Sequence, residues 1–282
     1  MAIGELIAFA AGALRGHRLR TGLSVAGVSV GIAAVIALTA LGEGARQYVV
    51  QEFSALGTNL LIVLPGKVET TGMMPFGGVV NDLTIDDYRA VATRIPEVLR
   101  AAPLATGEET LRYGGKARSV PVIGTTEELL EVRRLKVGAG QFLPPGDPNQ
   151  GGAEMVLGVK VAQELIGAES PLGKVARLGD WRFRIVGVLA PRGRSLGFDF
   201  DELVFVPART SMRIFNRSSL FRILVQLHPG EDLEVGKQAI LGLLAERHRA
   251  EDVTVITQDA VVDTLESILG VLTLALVSIA SV

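Results

Sequence analysis

"TGLSVAGVSVGIAAVIALTALG", Thr21 to Gly42, holds no charged residue and matches the roughly 20 apolar residues that one bilayer crossing takes. Read as transmembrane helix 1 (residues 21–42), it decides how the rest of the chain is arranged. Arg15, Arg18 and Arg20 crowd its N-terminal side, whereas the other flank opens with Glu43 before Arg46. The positive-inside bias therefore sets the N-terminus in the cytoplasm and everything after Gly42 outside. A cleaved signal peptide would put its basic residues first and carry an apolar core of only about 7–15 residues. Here "MAIGELIAFAAGAL" precedes the arginines, and no small-x-small cleavage site follows the run. Ile3, Leu6, Ile7, Ala10 and Leu14 recur at helical spacing, so residues 1–20 read as an interfacial helix on the cytoplasmic face.

Inside the span, Gly27 and Gly31 form a small-xxx-small pair, and Gly22 with Ala26 and Ser29 with Ala33 add two more. Such pairs let a second helix approach closely. Glycine is also common in membrane helices without a packing role, and the two readings stand side by side.

A chain of 282 residues that is 48% hydrophobic is unusually apolar for a wholly water-soluble one, which agrees with a part of it lying in lipid. Its 28 basic and 30 acidic residues nearly cancel, so it has no basic footprint for nucleic acid. With no cysteine, disulfides, thiolate metal sites and a cysteine nucleophile are excluded. A second apolar run, "SILGVLTLALVSIASV", fills Ser267 to Val282 and resembles the beginning of another span.

Residues 43–263 scatter their charges among short apolar runs and Gly/Pro turns, the pattern of a domain that folds in water. "NLLIVLPG" (Asn59 to Gly66) predicts a strand. "LTIDDYRAVATRI" predicts a helix with Thr84 as N-cap and Asp86 and Asp87 in its first turn, where carboxylates suit the helix dipole. "EVLRAAPL" predicts a short strand. The same order returns as strand "LFRILVQL", helix "PGEDLEVGKQAILGLLAERH" and strand "DVTVITQ". Two β-α-β units thus bracket the middle, and the expected fold class is α+β: a split, ferredoxin-like subdomain with halves at about 43–107 and 216–263. The insertion, about 108–215, is richer in strand, with "SVPVIGT", "EMVLG", "KVARLG", "RFRIVGVLA" and "ELVFVPA". Short helices are expected at "TEELLEV" and "KVAQELIG". Pro144, Pro145 and Pro148 with Gly146 and Gly151 mark a long surface loop.

Catalytic patterns fail on context. "GRSLG" at Gly193–Gly197 matches the G-x-S-x-G form, with Asp199, Asp201 and His228 or His248 following in order. A nucleophile elbow needs strand, sharp turn, then helix, yet Pro191 and Arg192 separate Ser195 from its strand and "FDFDELVFVP" resumes as strand, so a glycine-rich hairpin explains these residues. "GAESPLGKV" at Gly167–Val175 imitates a phosphate loop but has one residue too many between its glycines, and Val175 where Ser or Thr must meet magnesium. His17, His228 and His248 show no metal-ligand spacing and read as solvated. Asp199, Asp201 and Glu202 read as a solvated acidic edge, lacking the glycine turn and distal glutamate of an EF-hand. Trp181 shares an alternating strand with Phe183 and Ile185 and reads as packing. No catalytic, cofactor-binding or metal-ligating residue is assigned.

The order of the signals carries more than any one of them. Basic flank, span, "LGEGA", "LGTNLLIVLPG", "LTIDDYRAVA", "AAPL", "GAGQFLPPGD", "VLGVKVAQELIGAESPLGKVARLGDWRFRIVGVL" and "ELVFVP" follow one another as in MacB-type (MacB/FtsX-like) ABC transporter permeases, which nearly the whole chain resembles. The resemblance implies an extracytoplasmic core domain with a porter-like subdomain and an inserted β-rich subdomain, set between the first two membrane helices. Residues 264–282 are then the start of transmembrane helix 2, cut short. It also implies a bacterial inner-membrane permease subunit, itself non-catalytic. Such a subunit works by mechanotransmission from a cytoplasmic ABC ATPase that holds ATP and magnesium, and exports a drug, peptide or lipid-linked substrate. The partners implied are that ATPase, a second permease copy, membrane lipid and an extracytoplasmic adaptor protein, with no nucleic acid. The alternative is a membrane-anchored extracytoplasmic binding or regulatory module, including lipoprotein release or cell-wall hydrolase regulation.

Overall fold

Residues 18–54, 59–66, 81–195, 198–257, 267–268, 270–272 and 274 are described by the computed structural model. Helix α1, Arg18–Ser54, is 37 residues long. Its sequence contains no proline, which would interrupt the i to i−4 hydrogen-bond ladder. Its apolar stretch, Thr21–Ala45, has a mean hydropathy of 2.2 and a length of about 37 Å at 1.5 Å per residue. Leu23, Val28, Ile32, Ile36 and Leu41 are exposed along it. Within the stretch the Thr39 hydroxyl points back to the carbonyls of Val35 and Ile36, each at 3.0 Å, so its own polar group is met within the helix. The helix does not stop at Gly42. It continues through Gly44 to Ser54, aided by a 3.1 Å bond from the Gln47 amide to Glu43 one turn back.

The chain divides into two compact units, Met1–Gln51 with Asp259–Val282, and Glu52–Gln258. In the first, residues 267–268, 270–272 and 274 are helical, with Ile268, Val271, Leu272 and Leu274 exposed. The remainder of the 264–282 segment and residues 1–17 of the interfacial helix expected over 1–20, Arg15 among them, lie outside the described residues.

In the second unit, β1 (Leu60–Pro65), α2 (Ile85–Arg94) and the first part of β2 (Val98–Tyr113) come first. β11 (Arg222–Leu227), α6 (Leu233–His248) and β12 (Val253–Ile256) come last. Their strands lie in the order β12-β1-β11-β2, every neighbouring pair antiparallel. One face is covered by α2 and α6 through Ile85, Tyr88, Val91, Ile240 and Leu244, packed on Leu61, Val63, Ile223 and Val225 in one buried core. Alternation explains the strands, and explicit caps start the helices. Thr84 and Asp87 form a reciprocal capping box on α2, and the Asp232 side chain caps α6.

Between these halves run β3 (Lys116–Thr125), α3 (Leu129–Val132), β4 (Val137–Gly140), β5 (Glu154–Leu157), α4 (Val159–Leu165), β6 (Val175–Leu178) and β7 (Trp181–Leu189). The hairpin β8 (Arg194–Ser195) and β9 (Phe198–Asp199), a 3-10 turn at Phe200–Glu202, β10 (Val204–Pro207) and α5 (Ala208–Ile214) follow. β2 meets β3, β3 meets β10, β10 meets β5, β5 meets β7, β7 meets β6, and β6 returns to β2. Six strands thus close a ring, which leaves them no open edge among themselves. Leu111, Val122, Met155, Leu157, Leu178, Phe183, Ile185 and Val204 form its buried core, with Val161 and Leu165 of α4 in the same cluster.

The strand expected to be short at "EVLRAAPL" is instead 16 residues long. Its pairing passes from β11 at Leu104 to β3 at Ala105, so one strand belongs to both the helix-covered sheet and the ring. "FDFDELVFVP" is not a continuous strand either, because the Asp199 side chain accepts from the Asp201 N–H and turns Phe200–Glu202 into a single 3-10 turn. β4 and α5 had no counterpart in the pattern reading, being four and seven residues long, too short to show a period.

Candidate functional site

A buried polar cluster in the second unit joins two segments far apart in sequence, 81–87 and 247–252. The N-terminus of α2 contributes Asp87, 2% exposed, which accepts from the Thr84 backbone N–H at 2.9 Å and from its hydroxyl at 2.7 Å. From the last turn of α6, the Arg247 Nε donates to Asp87 Oδ1 at 2.8 Å, and His248 Nε2 lies 3.2 Å from Oδ2. His248 Nδ1 is 2.8 Å from Oδ1 of Asp252, whose other oxygen accepts from the Asn81 amide at 2.7 Å. Burial works against the Asp87 carboxylate, yet the bonds from Thr84, Arg247 and His248 outweigh it and hold its pKa below the ordinary value. Burial likewise opposes a charged His248, but Asp252 and Asp87 on its two nitrogens raise its pKa on balance.

The cluster also ties down the strands. Gly66, at the end of β1, donates its N–H to the Asp252 carbonyl at 2.7 Å, and its own carbonyl accepts from the Thr254 hydroxyl at 2.7 Å. Asp252 therefore holds both Gly66 and Asn81, while it leads directly into β12, the last strand before residue 258.

A second feature lies where the helix-covered sheet hands over to the ring. Leu104, Ile123, Leu129, Leu203, Phe205 and Leu224 surround a cavity of about 30 Å³, room for one water and far below the roughly 300–1,000 Å³ of a ligand pocket. Arg133 and Arg192 place their guanidinium carbons 5.1 and 5.5 Å from the centre of the Phe200 ring beside it. Arg192 also donates to the carbonyls of Arg133 and Arg134 at 2.8 and 2.9 Å. This junction is packed and pinned, with no preformed chamber for a drug-sized molecule.

Sequence-flagged residues fall in separate places. Arg18 and Arg20 stand in the first turn of α1. Gly27 and Gly31 lie four apart on the same helix, and a methyl group added at Gly27 meets nothing within 4 Å. Ser195 sits in the β8–β9 hairpin opposite Phe198, not on an elbow leading to a helix. The triad suggested by order does not assemble, since His248 is committed to Asp87 and Asp252, and Asp199 to Lys160 at 2.8 Å. The acids are not a solvated edge: Asp201 is 8% exposed and accepts from the Arg192 and Gly193 N–H groups at 2.9 and 3.1 Å, closing the base of that hairpin. Nor are all the histidines solvated, because the His248 side chain is only 7% exposed. Lys174 of the phosphate-loop mimic pairs with Glu169 and lies 5.4 Å from the Tyr113 ring centre. The expected proline-rich loop is pinned by Arg89 to Asp147 and by Thr210 to both backbone groups of Gly152 at 2.9 Å. Trp181 is half-exposed at the β6–β7 turn, whereas Phe183 and Ile185 are buried. Among the described residues, no group of three or more His, Asp or Glu is placed to hold a metal ion. Pattern reading missed the Asp87–His248–Asp252 clamp, although His248 at the end of a helix and Asp252 four residues on were a visible hint.

Comparison with known proteins places this geometry. The family model described as MacB-like periplasmic core domain matches residues 21–243. A macrolide export ATP-binding/permease protein MacB of Marinobacter nauticus is 34% identical over 280 residues, covering 99% of this chain and 43% of the relative. The protein of the same name in Bdellovibrio bacteriovorus is 30% identical over 237 residues, covering 84% of this chain and 36% of its own length. This chain thus spans less than half the length of these curated relatives. The crystal structure of the periplasmic region of MacB from Actinobacillus actinomycetemcomitans superposes with a TM-score of 0.65 at 20% identity, covering 78% of this chain and 98% of that one. The extracellular domain of the noncanonic ABC-type transporter YknZ from Gram-positive bacteria gives a TM-score of 0.57 at 21% identity, covering 71% and 100%.

Proposed function

The chain belongs to the MacB-like periplasmic core domain family, and from that premise we propose that it is the permease part of an ABC exporter that passes motion from the membrane to an extracytoplasmic domain. The carrying observation is the unbroken helix from Arg18 to Ser54, whose apolar stretch ends at Ala45 while the helix itself runs on to Ser54. The helix, in this reading, passes movement of the span on to the domain that follows it in sequence. In this reading the sheet under α2 and α6 is the porter-like subdomain and the six-strand ring its insertion. The Asp87–His248–Asp252 clamp keeps the entry and exit strands moving as one.

ATP and magnesium belong to a cytoplasmic ATPase, and the relatives that bear the name macrolide export ATP-binding/permease protein support a drug, peptide or lipid-linked substrate. Arg15, Arg18 and Arg20 hold the N-terminus in the cytoplasm of the inner membrane. Gly27 and Gly31 offer a face for a further membrane helix. The permease acts as a pair, with an extracytoplasmic adaptor.

The test is purification of the protein from its native membranes. A co-purifying chain with G-x-x-x-x-G-K-[ST], and an outer-domain proteolysis pattern altered by ATP with vanadate, are expected. Membranes in which no ATPase accompanies it would instead point to an anchored binding or regulatory module.

A further inference from the structure

We infer that the outer face where β2, β6 and β7 meet is a docking surface for an acidic segment of another extracytoplasmic protein. Arg112 stands opposite Arg177, and Arg177 opposite Arg182. Neighbouring strands lie about 4.8 Å apart, so three cationic side chains form one row within about 10 Å. All three are exposed, while Leu111, Leu178 and Phe183, next to them in the chain, are buried in the ring.

Like charges directly opposite one another weaken a sheet, so the row works against the strands that carry it. Asp180 answers only part of the charge: its Oδ1 is 2.9 Å from Arg177 Nη2, and its side chain is 94% exposed. Lys116 at the β2–β3 turn adds a further cation, and its ammonium donates to a neutral acceptor, the Glu164 carbonyl, at 3.0 Å. Together with Tyr113 and Val175 these residues line an open groove of about 760 Å³.

Guanidinium forks match carboxylates in paired geometry. Val175 is 53% exposed and Tyr113 partly exposed in the groove. Arginine beside a part-exposed tyrosine and an exposed aliphatic side chain is the composition of a protein–protein contact.

The experiment uses the 282-residue chain in phosphatidylcholine nanodiscs and a fluorescein-labelled peptide of about ten glutamates, read by anisotropy. Saturable binding is expected, weakening at least tenfold between about 50 and 300 mM salt. At least a tenfold loss is expected in Arg112→Gln/Arg177→Gln/Arg182→Gln. Arg182→Glu is expected to lower affinity while raising the melting temperature, because it turns a repelling pair with Arg177 into an attracting one; a purely structural row would not split the two readouts this way. Absence of binding, binding untouched by the triple variant, or capture of phosphatidylglycerol vesicles through the same arginines as tightly as the peptide would each overturn the inference.

Discussion

His248 Nε2 lies 3.2 Å from Asp87 Oδ2 although the two residues belong to helices at opposite ends of the domain sequence, and both side chains are almost fully buried. Breaking one partner of such a buried pair leaves the other uncompensated, an effect of about 3–5 kcal/mol in comparable pairs. Asp87→Asn also removes the reciprocal cap on α2. We expect it to lower the unfolding free energy of the outer domain by about 3 kcal/mol, read by urea denaturation followed at Trp181.

The same pair sets a pH window. His248 has a folded pKa above its ordinary 6.5, so its contribution is fully present below about that pH and is lost as pH rises through the folded value. Asp87 has a folded pKa below its ordinary 3.8, so its contribution is present above about that pH and is lost on further acidification. The melting temperature of the domain is therefore expected to be highest between about pH 4 and 6.5 and to decline on the alkaline side. His248→Gln should flatten the alkaline decline; an unchanged slope would mean that another group controls it.

Gly124, in the stretch of β3 beside α5, has no room for a side chain. A methyl group there would stand 2.2 Å from Ser211 Cβ and 3.3 Å from the Ala208 backbone, so α5 must move. Gly124→Ala is expected to destabilise the domain by about 1–3 kcal/mol, whereas Gly115→Ala, with nothing within 4 Å but a φ of +81°, should cost about 1 kcal/mol from backbone conformation. Thermal melts of the two variants separate steric from conformational effects.

Phe205 is fully buried on β10, with ring centres 5.7 Å from Phe142 and 6.5 Å from Phe200. It joins the ring to the cavity beside Arg133. Phe205→Ala should lose about 3–5 kcal/mol and enlarge that cavity. Rescue of the melting temperature by benzene would show that the new space stays dry and apolar.

A chain without cysteine makes single-cysteine labelling clean. Exposed Ser218 replaced by cysteine is expected to react with an impermeant maleimide in intact spheroplasts. Arg15→Glu/Arg18→Glu/Arg20→Glu should reduce that labelling by more than half by weakening the orientation bias. Labelling only after lysis of the unaltered form would reverse the proposed orientation.

Local chemistry was enough to read several elements from the bare chain. An uncharged run from Thr21 to Gly42 marks its own solvent, Thr84 and Asp87 announce a helix start three residues apart, and "NLLIVLPG" or "EMVLG" declare strands through side chains that repeat within a few residues. Each of these signals lies in one segment, so no other segment is needed to interpret it. Which strands meet is a different matter. Nothing within "KVARLG" names β2 and β7 as its two neighbours, and nothing in "EVLRAAPL" tells that the strand continues to Tyr113 and is shared by sheet and ring. His248 reads as solvated until α6 carries it against Asp87, and Arg112, Arg177 and Arg182 are scattered surface cations until register lines them up. Those properties arise from pairing across long stretches of chain, where the entropy of closure is met by burial of the whole core, so they come into being only when the fold does.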